Sequence, residues 1–412
     1  MAVGDISIDT FTIGSLNATD PSQVTLVGFN IYEDIFNILG PVAEVHLGDT
    51  NDALGQFNIT GSQDQDVTIS FSVPQTSTSA TYKFKMSKNK DLNDQSDQGK
   101  GSMHSKFYTF KFVSPESLLA QSNVDEKSYS TTTAEIAKDI LTNNFKTTKR
   151  VQIDSPTNGI RIFRFSQDKH PIDRLKIINT QHVSTKNKSS CYVTFQTLNG
   201  GNQVYKITEF EELFKQSPVA TLTQTSTLGT TGTTNDNKQN SITWFKVEDS
   251  FDVHTRALNN VTQKGYDATT GTNNVKTTPP APKFTTLGKP LYNSTSNPAI
   301  PSAHSSDAIN NKTPTGLADA KANRLKFLAH LSQNSADLEI MGNPAITLGS
   351  VVELVIPKKA SFNNGDGESQ FNGKALVVAI RHKVRPIGQS PRYTMILKVI
   401  KAGIEEGGNG IG

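Results

Sequence analysis

Three glutamates, Glu209, Glu211 and Glu212, stand together beside Phe210 and Leu213. Two carboxylates flanking a cleft are what glycoside hydrolysis requires, so this cluster is the best enzymatic candidate in the chain. Adjacent glutamates on a helix or turn more often form a solvated face, and that is the reading adopted. The run Gly367-Glu368-Ser369-Gln370-Phe371-Asn372-Gly373-Lys374-Ala375 has the glycines and lysine of a phosphate loop. It carries one residue too many, and Ala375 stands where Ser or Thr must bind magnesium. It also leads into a strand, so no helix N-terminus would face the phosphate. Asp91-Leu92-Asn93-Asp94-Gln95-Ser96-Asp97 is rich in oxygen ligands but lacks the central Gly and distal Glu of a calcium loop, and a solvated turn is expected.

The eight histidines include no pair at metal-ligand spacing on one helix. His382 falls on an apolar face with Ile380 and Val384, which predicts a buried, hydrogen-bonded imidazole. Asp168-Lys169-His170 precedes Pro171 and is expected to cap a helix. Cys191, between Ser190 and Tyr192, reads as a buried structural thiol. Asn-x-Ser/Thr sequons at Asn17, Asn58, Asn187, Asn293 and Asn311 are what chance supplies in a chain rich in Asn, Ser and Thr. No catalytic, cofactor-binding or metal-ligating residue is assigned, and the chain is expected to be neither an enzyme nor a cofactor carrier.

Composition narrows the class. At 412 residues, two to four domains are expected from roughly 100–200 residues each. Hydrophobic residues make up 34% and charged ones only 19%, so the polar excess lies in Thr, Ser, Asn and Gln, which suits long loops and extensive sheet surface. With 41 basic and 38 acidic side chains the net charge is +3, against the basic excess of a dedicated nucleic-acid binder. A single cysteine excludes an intrachain disulfide framework. No secretory signal opens the chain, and no apolar run approaches the roughly 20 residues that span a bilayer. A soluble protein of a reducing compartment is expected.

The elements follow from period-two alternation. Val352, Leu354 and Ile356 share one face of a strand opened by Gly349 and ended by Pro357. Leu376, Val378, Ile380 and Val384 mark a second strand, and Tyr393, Met395, Leu397 and Val399 a third. Earlier, Val67, Ile69, Phe71 and Val73 alternate with Thr68, Ser70 and Ser72, followed by Tyr82-Phe84-Met86 and Tyr108-Phe110-Phe112. Between these units, Thr132 with Glu135 forms a capping-box pattern ahead of Ile136, Ile140 and Leu141. Pro171 opens a second helix with Ile172, Leu175 and Ile178 on its core face. Tyr192-Val193-Phe195 turns at Asn199-Gly200-Gly201 onto Val204-Tyr205-Lys206-Ile207. Thr221 to Ser241 reads as an exposed loop, the prolines from Thr262 to Asn311 limit regular structure, and Leu325, Leu328 and Leu331 fit a short helix.

The fold class expected is α+β, mainly β, with two similar antiparallel β-barrel domains and an intervening α/β domain. Residues 1–114 form the first barrel and 115–215 the α/β domain. Residues 216–243 are a polar Thr-rich loop, and 244–285 with 335–403 form the second barrel. Residues 286–334 are a Pro/Asn-rich linker with a short helix, and 404–412 a Gly-rich tail.

Three stretches resemble one family. Lys127-Ser128-Tyr129-Ser130 before Ala134 to Leu141, and Phe163-Arg164-Phe165 before His170 to Leu175, are two of them. The closing strands, with Gly342-Asn343-Pro344, Gly349-Ser350, Gly373-Lys374-Ala375 and His382-Lys383-Val384, are the third, and Tyr32-Glu33-Asp34-Ile35 suits an opening strand pair. Together they resemble the central baseplate hub proteins of contractile-tailed (T4-like) bacteriophages, and the N-terminal hub part of type VI secretion (VgrG-type) spike proteins. The resemblance implies a homotrimer whose two barrels per chain imitate a six-fold ring, adapting a hexameric tail tube above to a trimeric spike below. It implies a channel for DNA in transit, further baseplate partners, no membrane insertion, and a place in the virion tail after assembly in the bacterial cytoplasm. The spike is expected to be a separate protein, with Ala402 to Gly412 on its side. A tail-associated cell-wall hydrolase and a host-glycan adhesin using the Thr/Asn-rich loops are the alternatives.

Overall fold

The computed structural model describes residues 4–49, 53–56, 59, 65–94, 106–157, 159–185, 191–224, 240–248, 261–267, 272–278, 300–305, 324, 335–356, 372–387 and 390–401. Alternating apolar residues drive most of them into antiparallel sheet. β1 (Ser7–Ile13), β2 (Leu16–Asn17), β3 (Thr25–Asp34) and β4 (Val42–Asp49) open the chain. After one helical turn, α1 (Ala53–Gln56), come β5 (Asp66–Val73), β6 (Thr78–Asp94) and β7 (Lys106–Val113). The strand order is β3-β4-β7-β6-β5-β1-β2, all neighbours antiparallel. On β5, Val67, Ile69, Phe71 and Val73 are buried while the Thr and Ser between them are half-buried, as the alternation requires. Asp91 to Asp94 are no solvated turn: they end β6, with Leu92, Asn93 and Asp94 opposite Tyr108, Phe107 and Lys106. Extended pairing wins there because β7 offers a partner edge; residues 95–97 lie outside the described residues.

The central module is mixed. It contains α2 (Pro115–Leu119), β8 (Lys127–Thr131), α3 (Thr133–Asp139) running into a π-helical turn (Ile140–Asn144), β9 (Arg150–Ile153) and β10 (Arg161–Phe165). α4 (Pro171–Asn179), β11 (Tyr192–Asn199), β12 (Asn202–Glu209) and α5 (Phe210–Phe214) follow. Thr132 caps α3, its hydroxyl accepting from the Glu135 amide at 3.4 Å. Pro171 opens α4, where its missing N–H costs nothing, and Ile172, Leu175 and Ile178 are buried. β11 and β12 form a hairpin whose turn needs two left-handed residues; Gly200 and Gly201 supply them at φ 58° and 80°. β9 adds to β12 in parallel, β8 and β10 pair apart as a two-stranded ribbon, and the module has its own core around Ile136, Leu141, Phe145, Leu175 and Tyr205.

The last third holds β13 (Thr221–Thr223), β14 (Ile242–Glu248), β15 (Val261–Asp267), β16 (Thr272–Thr278) and β17 (Ile300–Ser305). β18 (Ser335–Met341), β19 (Val351–Val355), β20 (Gly373–Ile387) and β21 (Ser390–Ile400) complete it. The order β14-β18-β21-β20 is antiparallel, β19 adds to β20, and β13 adds in parallel to β19. Tyr393, Met395, Leu397 and Val399 are fully buried, each contributing about 1.5–3 kcal/mol. The stretch Thr262 to Asn311, read from its prolines as poor in regular structure, carries a three-stranded sheet, β16-β15-β17, with Pro301 inside β17. Among the described residues β17 has a single partner in that sheet, and a proline is tolerated on an edge that needs no amide donor. Residues 225–239, and all of the helix expected around Leu325 to Leu331, lie outside the described residues.

The two outer sheets are one. β20 is long enough, about 50 Å at roughly 3.3 Å per residue, to hold two partners on the same edge. Its first half pairs with β19, and its second half with β3, from Ala379↔Asp34 to Val384↔Phe29. The edge of β3 that would have to close the first sheet on itself is therefore occupied by β20. No closed barrel forms among the described residues, and one continuous core runs beneath both sheets.

Gly342, in the turn before Pro344, lies flat against the Tyr393 ring, and a Cβ built there would sit 1.8 Å from Cδ1. Gly342→Ala should therefore destabilise the protein by about 1–3 kcal/mol, read as a lower urea midpoint at unchanged slope.

Candidate functional site

The outer sheets meet in a buried polar knot. β20 brings His382, β21 Tyr393, β6 Tyr82 and β3 Glu33; His382 is 1% exposed, as its place between Ile380 and Val384 predicts. Tyr393 Oη lies 2.7 Å from His382 Nδ1, Tyr82 Oη 3.1 Å from Nε2, and Glu33 Oε2 3.6 Å from Nε2. With the imidazole proton on Nε2, the ring donates to Tyr82 and accepts from Tyr393. Phe71 closes the knot, its ring centroid 5.3 Å from that of Tyr393. Burial, then the Glu33 charge, raises both phenols well above their ordinary range, so both keep their protons. Nothing here opens to a substrate. The arrangement welds two sheets whose residues lie 300 positions apart.

A second knot ties the module to the first sheet. Lys149 Nζ contacts both carboxylate oxygens of Glu116 at 2.8 and 2.7 Å, with side chains 9% and 3% exposed. Ser114 and Thr147 donate to the same carboxylate, and Gln196 Nε2 donates to Ser114 Oγ at 2.9 Å and Tyr205 Oη at 2.6 Å. Burial alone would raise the Glu116 carboxyl, but Lys149 and these donors outweigh it and hold it below the ordinary range. Burial also pulls the Lys149 ammonium down, with Glu116 recovering only part of that; the two short contacts favour the ion pair. These partners lie tens of residues apart, so no spacing in the sequence signals them. Only the Ser114-Pro115 break marks the place.

The acidic cluster divides. Glu209 is not on a solvated face: it is 1% exposed, because hairpin pairing turns it inward at the end of β12. Ser184 and Tyr192 donate to its Oε1, the latter at 3.0 Å, and Ser155 Oγ accepts from its amide at 3.2 Å. Glu211 and Glu212 are half-buried, and Glu212 pairs with Lys215 at 2.8 Å. A carboxylate held this way cannot meet a glycosidic oxygen. Nearby His182 bonds Thr133 Oγ1 at 2.8 Å and Asn179 Oδ1 at 3.2 Å, and burial pushes its imidazole down to about 3. Burial raises the Cys191 thiol to about 12, consistent with a structural sulfur. His170 occupies the cap position of α4, yet no side chain caps it, and Asp168 instead accepts from Ser166.

The Asn17 side chain accepts from the Thr19 amide at 3.1 Å, while Asn58, Asn187, Asn293 and Asn311 lie outside the described residues. Of the lysine-glycine run, residues 367–371 also lie outside them, and Gly373 begins β20, the strand expected after it. Among the described residues no group of three His, Cys, Asp or Glu side chains could hold a metal, and no helix is long and apolar enough to cross a membrane.

No protein-family model matches the sequence, and no curated protein does so significantly. The fold is that of phage tail proteins, the class to which the sequence motifs pointed. A tail protein from Neisseria meningitidis superposes at TM-score 0.59 with 9% identity, over 96% of this chain and 97% of that one. A 43 kDa tail protein of prophage MuSo2 from Shewanella oneidensis superposes at 0.53 with 11% identity, over 97% and 98%. At these identities the likeness is one of fold.

Two outcomes follow from the knots. Tyr393→Phe leaves His382 Nδ1 without its donor in a dry site, which should cost about 1–3 kcal/mol in urea unfolding. Because the folded Glu116 carboxyl lies below its unfolded value, its contribution is complete above about pH 4.3 and is lost as pH falls through the lower folded value. Glu116→Gln should cost about 3–5 kcal/mol at pH 7 and flatten the acid limb of a plot of urea midpoint against pH.

Proposed function

We propose that the protein is the central hub of a contractile phage-tail baseplate. In this reading it is a structural homotrimer, and each chain gives two similar barrel-like units, residues 1–114 and residues 244–285 with 335–403. Six such units make an annulus that receives a hexameric tube above and a trimeric spike below, around a channel for DNA. Residues 115–215 form the module between them. The observation that carries the reading is the full-length fold likeness to phage tail proteins. Three features agree with it. The sheets are fused through β3 and β20 into one body able to bear load, the buried acids and histidines serve packing, and the net charge of +3 suits a lining that DNA passes without being gripped.

Light scattering on the purified protein should give three times the 44.8 kDa of one chain, and imaging of the particle should place it on the tail axis between tube and spike. A monomer at working concentration, a peripheral position, or lysis in a cell-wall zymogram would defeat the proposal.

A further inference from the structure

A cavity of about 840 Å³ lies between the first sheet and the α/β module, walled by β5 and β6 on one side and by α2, residues 145–150 and the β11–β12 hairpin on the other. Five cations from two segments line it: Lys83 and Lys85 on β6, and Lys146, Lys149 and Arg150 in residues 145–150. Among the described residues only two carboxylates accompany them, and both are engaged. Asp66 pairs with Lys85 at 3.1 Å, and Glu116 is held by Lys149 and two hydroxyls. Among the described residues no ion pair engages Lys83, Lys146 or Arg150, and all three are exposed at the cavity rim. Like charges gathered in one concavity repel, and a bound anion relieves that repulsion.

We propose that this cavity receives an acidic segment of a partner protein, whose carboxylates lie against Lys83, Lys146 and Arg150. Two observations favour a peptide over a nucleic acid. The cations converge on one bounded pocket instead of tracking a strand along a face, and the chain as a whole is nearly neutral. Pro115 and Leu119 also give the wall apolar surface suited to the methylenes of Asp and Glu side chains. The proposal goes beyond the hub reading and does not depend on it.

The test is fluorescence anisotropy of a labelled hexa-aspartate peptide with the full-length protein. Saturable binding at one peptide per chain is expected, weakened about tenfold or more by Lys83→Glu with Lys146→Glu and Arg150→Glu. The charge-matched control Lys111→Glu with Lys138→Glu and Lys169→Glu, away from the cavity, should bind as the parent does. Gln203→Glu, which keeps the acceptor for the Lys83 amide and adds a negative charge to the cavity wall, should weaken binding severalfold; it decides the matter if the triple variant is unfolded by circular dichroism. Absence of saturable binding, or equal loss in the control, overturns the proposal. Tighter, cavity-dependent binding of a single-stranded oligonucleotide overturns the peptide assignment.

Discussion

The antiparallel pairing of β3 with β20 is the constraint on which the rest of the molecule depends. Six residue pairs, from Phe29↔Val384 to Asp34↔Ala379, join the sheet built near the start of the chain to the one built at its end. Backbone pairing alone fixes distance but leaves register free to slip, and a slip of one residue would turn every side chain to the wrong face. The knot beneath removes that freedom. His382 finds both hydroxyl partners only when β20, β21 and β6 are aligned as observed, and misalignment would leave a buried imidazole unpaired.

The α/β module is held by two kinds of contact. Val193, Phe195, Leu198, Phe210, Leu213 and Phe214 join the large core, while Ser114, at the end of the first sheet, is tied to Glu116, Lys149 and Gln196, and Asn202↔Thr81 pairs the strands. A second core, around Ile136, Leu175 and Tyr205, lies within the module. Away from the shared core, between β5 and β6 on one side and α2 and the β11–β12 hairpin on the other, space remains where the module meets the first sheet. That is where the basic cavity lies.

Much of the fold was legible because it is local. The alternation on β5, β19, β20 and β21, the Thr132 cap, Pro171 at the start of α4 and the paired glycines at 200 and 201 each state their conformation within a few residues. The misread places are where a local signal met a tertiary partner. Asp91 to Asp94 are turn formers that became strand because β7 lay alongside, and Pro301 entered a strand that had an edge to spare. Glu209 belongs by composition to a surface cluster, but its hairpin register buries it against Tyr192 and Ser184.

Side-chain period and polarity, which act over one or two turns of chain, set most element types, the faces they bury and the burial of His382. Tertiary contacts decided that two sheets share one edge, which tyrosines serve His382, and that five cations from two segments line one cavity. Those facts are contacts between residues tens to hundreds of positions apart, and nothing in local periodicity encodes which distant edge a strand will meet.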